Sequence, residues 1–280
     1  MIQAGTPRPY AFHKLDVYVT SAVTTKSPRN STNPVTPSMT MQILARIAED
    51  LGLPLDRHQL QRFEEYYRQL VAANRRISLT TITDCQEVQR RHFGESLAVA
   101  ASLYRAGVLK PDQAARVLDL GAGAGFPGIP IRIVHPDLRL TILEATRKKT
   151  AFLEHLLARL DLEDVAVITG RAEAVAHEPT HREGYDLVLA RAVAPLAVLA
   201  ELALPFLQMG GFLATPKGSR APQEMTEAGR ALETCGGRIV SAEPLPSPAL
   251  PLTLVLVEKM APTPAAYPRR PGIPTKRPLR

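Results

Sequence analysis

The spacing of apolar positions changes character along the chain. MQILARIAEDLG reads as a short amphipathic helix stopped by Gly52. Asp56 then caps DRHQLQRFEEYYRQLVAANRR, where Leu60, Phe63, Tyr67 and Leu70 recur at helical spacing. Helical segments continue through QEVQRRHF and ESLAVAASLYRAG, so residues 39–112 form a helical N-terminal region. From Arg116 short apolar runs take over. RVLDL, RLTILE, VAVITG, YDLVLAR and GGFLATPKG read as buried strands, with TRKKTAFLEHLLARLDL and PLAVLAELALPFLQMG as helices among them. Strands alternating with helices imply right-handed crossovers and a parallel sheet. The last two strands, GRIVSAEPLP and LTLVLVEK, have no helix between them and should pair antiparallel. The expected class is α/β, a mostly parallel sheet over residues 113–260 that ends antiparallel. Residues 1–38 are rich in Thr, Ser, Pro and Asn without a period. They read as disordered, or as lying upstream of the true start, because Met39 and Met41 immediately precede the first helix.

Charge refines this division. The 280-residue chain carries +7, but residues 261–280 hold Arg269, Arg270, Lys276, Arg277 and Arg280 and no acid. Residues 1–38 hold four cations against Asp16, which leaves the body between the ends at −1. A basic, Pro-rich tail suits a polyanion, and it equally suits a solvated tail that aids solubility; charge alone leaves both open. Cys85 and Cys235 are far apart and form no CxxC pair, so neither a metal site nor a disulfide framework is expected. No apolar run reaches membrane-spanning length, and the first residues lack the apolar stretch of a signal peptide. A cytoplasmic monomer is the expectation.

The chemistry concentrates in VLDLGAGAGFPGIPIRIVHP, residues 117–136. Glycines this dense let a ligand approach the main chain. Gly123, Gly125 and Gly128 match GxGxxG, but a dinucleotide fingerprint begins where the strand ends, at Gly121, and there the third glycine position is Phe126. Pro127 and Pro130 further reduce the N–H donors a pyrophosphate needs. Asp119-x-Gly121-x-Gly123-x-Gly125 instead resembles the first motif of Rossmann-like S-adenosylmethionine methyltransferases. That cofactor has an ammonium and a sulfonium but no phosphate, and a carboxylate such as Asp119 can serve those cations directly or through water. Asp119 could also simply brace the turn. Glu144, at the end of RLTILE, can accept two ribose hydroxyls; the rival role of helix cap suits Thr146 better. Ala172-Glu173 follows the third strand, where adenine lies in such folds.

VLDLGAGAGFPGIP, ILEATRKKTAFL, GRAE and ARAVAPL closely resemble the ribosomal RNA small subunit methyltransferase G family, also called glucose-inhibited division protein B. The resemblance runs from about Met41 to Lys259 and into the tail. It implies methylation of guanine N7 in the decoding-region loop of 16S ribosomal RNA, on naked RNA or the small subunit. Family cofactor positions then fall on Gly121, Phe126, Glu144, Ala145, Thr146, Ala172, Glu173 and Arg191, alongside Asp119 and Gly123 of the glycine motif. Two family patterns are altered: W-N-x-x-x-N-L-T has Ala73 for Trp and Ser78 for the second Asn, and R-H-x-x-D-S has Glu95 for Asp.

Arg191 follows the fourth strand and should emerge at the ligand edge, near cofactor and target base, as a phosphate or carboxylate ligand. His92 and Arg91 are either RNA contacts or a solvated helix face. Lys217, Arg269, Arg270, Lys276 and Arg277 complete the candidate RNA-binding set. No acid–base couple is evident, which fits attack by an unprotonated ring nitrogen. After YDLVLA there is neither the Asn/Asp-Pro-Pro-aromatic motif of amino-group methyltransferases nor a lysine–acid pair for ribose chemistry. A nicotinamide dehydrogenase would need the missing fingerprint and a proton donor. A non-catalytic RNA-binding module would leave Asp119, Gly121 and Glu144 without a reason.

Overall fold

A computed structural model describes residues 41–111 and 113–279; the segment 1–38 lies outside the described residues. Seven strands form one sheet: β1 Arg116–Leu120, β2 Arg139–Glu144, β3 Ala166–Thr169, β4 Tyr185–Leu189, β5 Leu207–Lys217, β6 Gly237–Leu245 and β7 Leu252–Lys259. Their order is β3-β2-β1-β4-β5-β7-β6. β1 to β5 pair in parallel, and β7 runs antiparallel between β5 and β6. The expected antiparallel close is present, with the later strand inserted inside. Chain direction across the sheet reverses between β1 and β4, which opens a crevice at their carboxyl ends where ligands of such sheets bind.

The helical region opens with α1 (Gln42–Asp50) and α2 (Arg57–Asn74). Asp56 caps α2 in a full capping box, accepting from the Gln59 N–H at 2.8 Å while Gln59 Oε1 accepts the Asp56 N–H. Its buried stripe is Phe63, Tyr66 and Leu70; Tyr67, expected on that stripe, is only half-buried. Both tyrosines lie within one turn of Phe63, so spacing could not separate them. α3 (Cys85–Val88) and α4 (Glu95–Arg105) are joined by a π-helical stretch, Gln89–Gly94. Such a stretch re-aims its side chains relative to a regular helix.

Downstream lie α5 (Gly128–Val134), α6 (Arg147–Arg159), α7 (Ala172–Val175), α8 (Leu196–Ala203), α9 (Ala221–Glu227), α10 (Gly229–Cys235) and α11 (Ile273–Lys276). PLAVLAELALPFLQMG does not stay helical throughout. Pro205 cannot continue α8, and after a 3-10 turn at Leu204–Phe206 the chain enters β5. Alternate residues of β1 feed separate cores on the two sheet faces. Val117 joins the α1–α6 side, while Leu118 and Leu120 join the α7, α8 and α10 side. No helix of the described residues is long and apolar enough to cross a membrane.

Residues 261–279 do not form a free tail. Arg182 donates to the carbonyls of Thr263, Pro264 and Tyr267 at 2.8–3.2 Å, and His177 Nε2 meets the Pro268 carbonyl at 2.8 Å. The Arg269 guanidinium grips Glu201 on α8, with Nε to Oε1 at 2.8 Å and Nη2 to Oε2 at 2.7 Å. Arg269 therefore fastens the strap to α8. Arg270, Lys276 and Arg277 remain exposed.

Candidate active site

The glycine turn sits at the carboxyl end of β1, and positive φ at Gly121 (68°), Gly123 (62°) and Gly125 (101°) forms its bend. A Cβ on Gly125 would lie 2.6 Å from Ile129 Cδ1 and 2.7 Å from Tyr66 Oη, so that glycine is required by packing as well. A Cβ on Gly123 would meet nothing within 4 Å; here the turn is open. That is the combination a close-lying ligand needs: a rigid bend with one uncovered side.

Two carboxylates converge on the turn. Asp119, fully buried, accepts the Gly128 N–H through Oδ2 at 2.8 Å, and a Cβ on Gly128 would overlap that oxygen at 2.6 Å. So Asp119 does brace the turn, but only with half of its carboxylate: Oδ1 is buried with no partner among the described residues. Burial lifts its pKa to about 7, with the Gly128 N–H and Arg191 opposing and Glu144 adding to the rise. Glu144 Oε2 accepts from the Gly123 N–H at 3.1 Å and Oε1 from the Thr146 N–H at 2.9 Å. Thr146 holds the N-cap position of α6, but its side chain makes no capping bond, contrary to the role expected for it. Ala145 and Thr146 are exposed beside Glu144. An orphaned buried carboxylate oxygen, an open glycine turn and a second carboxylate fixed by backbone fit a ligand with one cationic end and vicinal hydroxyls.

The raised Asp119 pKa has a measurable consequence. A carboxyl less acidic in the native state than its usual 3.8 contributes stability below pH 4 that is lost as pH climbs through about 7. The loss across that window is at most about 4 kcal/mol. Urea unfolding between pH 5 and 8 should show stability of the ligand-free protein falling as pH rises, and Asp119→Asn should flatten that slope. An unchanged slope would show that Asp119 titrates normally.

Phe126 does not offer its ring to a ligand. It stacks between Tyr66 (centroids 5.2 Å apart) and His92 (4.6 Å), with the Arg191 guanidinium 5.0 Å from its centre. The Tyr66 hydroxyl donates to the Ala124 carbonyl at 2.6 Å, anchoring α2 to the turn. Arg191 emerges from β4 as expected, followed by Ala192 in the left-handed region at φ 57°, a local strain typical of functional sites. Its guanidinium donates to the Arg91 carbonyl at 3.1 Å, approaches His92 Nδ1 at 3.3 Å and pairs with Glu95 at 3.5 Å. His92 Nε2 meets Thr80 Oγ1 at 2.8 Å. Thr80 is placed by Asn74, whose amide accepts the Leu79 and Thr80 N–H groups and donates to the Thr80 carbonyl. Burial, then Arg191, drives the His92 pKa down to about 3, so it stays neutral near pH 7.

His92 is therefore not a solvated face; it is a buried wall of the site. Lys217 is likewise committed inside, donating to the Ala194 carbonyl at 2.7 Å and pairing with Glu224 at 3.0 Å, which fixes the loop after β4. The Glu173 carboxylate reaches the strap through Oε1, which accepts from the Gly272 N–H at 2.9 Å and from Arg171 at 3.2 Å. Tyr66, Thr80 and Glu95 were not singled out as site residues by the sequence. Only the altered R-H-x-x-D-S pattern signalled Glu95. Arg91, His92, Glu95, Arg191, Lys217 and Glu224 border a cleft of about 530 Å³ beside the glycine turn.

Comparison with known proteins adds an independent finding. The rRNA small subunit methyltransferase G family matches residues 59–250. The ribosomal RNA small subunit methyltransferase G of Roseiflexus castenholzii is 48% identical over 240 residues, 85% of this chain and 100% of that one. That of Dehalococcoides mccartyi is 46% identical, covering 82% of this chain and 95% of that one. Among solved structures, a SAM dependent methyltransferase from Aquifex aeolicus aligns at 17% identity with a TM-score of 0.45, covering 58% of this chain and 89% of that one.

Proposed function

The chain belongs to the rRNA small subunit methyltransferase G family, and from that premise we propose that it methylates N7 of a guanine in 16S ribosomal RNA with S-adenosylmethionine as donor. The observation that carries the reading is the turn itself: an uncovered Gly123 between the orphaned Asp119 Oδ1 and Glu144. These residues would hold the cofactor. Asp119 would face its cationic end, Glu144 would accept from the ribose hydroxyls, and the backbone of Gly121 and Gly123 would lie against the rest. Bound there, S-adenosylmethionine supplies a sulfonium methyl that a ring-nitrogen lone pair can accept without prior deprotonation.

The protein's task is then placement. Well-oriented reactants can lower a barrier by about 7–11 kcal/mol. Arg191 links the strand carrying the site to the helical region through Arg91, His92 and Glu95, and so sets the width of the cleft a base must enter. His92 stays neutral at working pH and makes no second cation to repel the sulfonium. The exposed Arg270, Lys276 and Arg277 remain candidate phosphate contacts on the strap; Lys217 and Arg269 are spent internally.

Glu144→Ala should weaken S-adenosylmethionine binding by roughly 1.5–3 kcal/mol, the worth of hydrogen bonds to a charged acceptor, with folding retained. Isothermal titration checks this, and unchanged affinity would assign Glu144 to bracing the turn alone. The reaction is tested by incubating the protein with labelled cofactor and either naked 16S RNA or small subunits. The product expected is 7-methylguanosine, whose cationic ring permits aniline cleavage after borohydride reduction. A ribose- or amino-methylated nucleoside would overturn the assignment.

A further inference from the structure

Methyl transfer to N7 turns the N7/O6 edge of guanine toward the donor at the glycine turn. The opposite edge, N1–H and the N2 amine, then points away from the turn. That edge carries two donors on guanine, whereas adenine places a lone pair at N1. Recognition from that side calls for an acceptor with capacity to spare.

The cleft holds two carboxylates. Glu224 is anchored at close range through one oxygen: its Oε2 accepts the Leu196 N–H at 2.9 Å and pairs with Lys217 at 3.0 Å. Glu95 is different. It is buried at 7% exposure, yet its partners are remote for a buried charge: Arg191 at 3.5 Å from Oε2 and the Ser247 hydroxyl at 3.5 Å from Oε1. Charge-assisted bonds normally close to about 2.7–2.9 Å, so both oxygens keep accepting capacity. Burial also holds the Glu95 pKa above its ordinary value, as expected for a carboxylate short of donors. Arg191 is the partner that ties it to the site, since the same guanidinium covers Phe126 of the glycine turn.

Resting on the N7 reading above, the geometry points to the 530 Å³ cleft as the target-base pocket, with Glu95 accepting hydrogen bonds from the N1–H and N2 amine of guanine. Glu95 is then the residue that selects guanine. A purine lacking the amine forfeits one charge-assisted bond, and adenine sets its N1 lone pair against the carboxylate. Sites that pair a substrate donor with a buried group reject analogues lacking it, because the buried group is left unmatched.

The test compares two substrate RNAs identical except at the target position, guanosine in one and inosine in the other. Inosine retains N7, O6 and N1–H and lacks only the N2 amine. Wild type should methylate the guanosine RNA with a kcat/KM roughly 10- to 100-fold higher, the worth of one bond to a charged group. Glu95→Gln should bring that ratio close to one. The ratio is taken on one enzyme preparation, so any loss of folded protein cancels, and a structural role for Glu95 would slow both RNAs equally. A wild-type ratio near one, or a Glu95→Gln ratio equal to wild type, would overturn the inference alone. Failure of wild type to modify either RNA at N7 would overturn the reaction reading and this inference with it.

Discussion

Arg269→Ala is expected to destabilise the folded protein by roughly 3–5 kcal/mol, the range for removing one partner of a buried ion pair. Glu201 is fully buried on α8, a helix whose residues are all buried. Arg269 supplies two guanidinium donors and its own N–H to that carboxylate, at 2.7–2.8 Å. With the side chain gone, only the N–H remains and the charge has no counter-ion. Replacing both residues, as Glu201→Met with Arg269→Met, should recover most of the loss, because two well-packed apolar side chains need no pairing. Urea denaturation of the three variants decides. An Arg269→Ala protein as stable as wild type would mean that solvent reaches Glu201. The same geometry redirects expectations for RNA binding: Arg269→Ala should leave the salt dependence of RNA affinity unaltered, whereas neutralising Arg270, Lys276 and Arg277 together should flatten it by up to about three phosphate contacts.

Arg191→Ala should combine a loss of about 3 kcal/mol in stability with a fall of about 10²-fold in kcat/KM. Its guanidinium is the only cation within ion-pair distance of Glu95 among the described residues, and it also bonds the Arg91 carbonyl and lies over Phe126. Removing it leaves a buried carboxylate and frees the π-helical stretch from β4. The cleft should lose its width even though the glycine turn is intact. Cofactor affinity should therefore change less than turnover. Arg191→Ala with Glu95→Ala should be more stable than Arg191→Ala alone, since the orphaned charge goes too. Equal stability of the single and double variants would show that Glu95 is not held by Arg191.

The glycine turn and the carboxylates beside it were legible because their determinants are local. Asp119 and the glycines share one turn, and Glu144 ends the neighbouring strand, so strand patterning alone brings them to one edge. The roles of the charged residues were not legible. Lys217, Arg269 and Glu173 read as solvent- or ligand-facing, and each proved to be bonded to a group well separated in sequence: Ala194, Glu201 and Gly272. A cation has no periodic signature that distinguishes an exposed head from a buried pair. His92 shows the same limit. Its neighbour Arg91 suggested a basic face, but the π-helical stretch turns His92 inward onto Phe126, and nothing in residue spacing announces that extra residue per turn.

The amino-acid sequence by itself determined the strand–helix alternation, the antiparallel close, the glycine turn and the two carboxylates beside it. Each follows from periodicity or from backbone freedom within a few residues, interactions that act whatever the rest of the chain does. Tertiary structure alone decided that the basic tail is a strap, that Tyr66 rather than Tyr67 faces the core, and that Arg191 joins the sheet to the helices through Glu95 and His92. Those outcomes depend on which polar groups lose water and must find partners, and the partners stand as far apart as 68 to 100 positions along the chain.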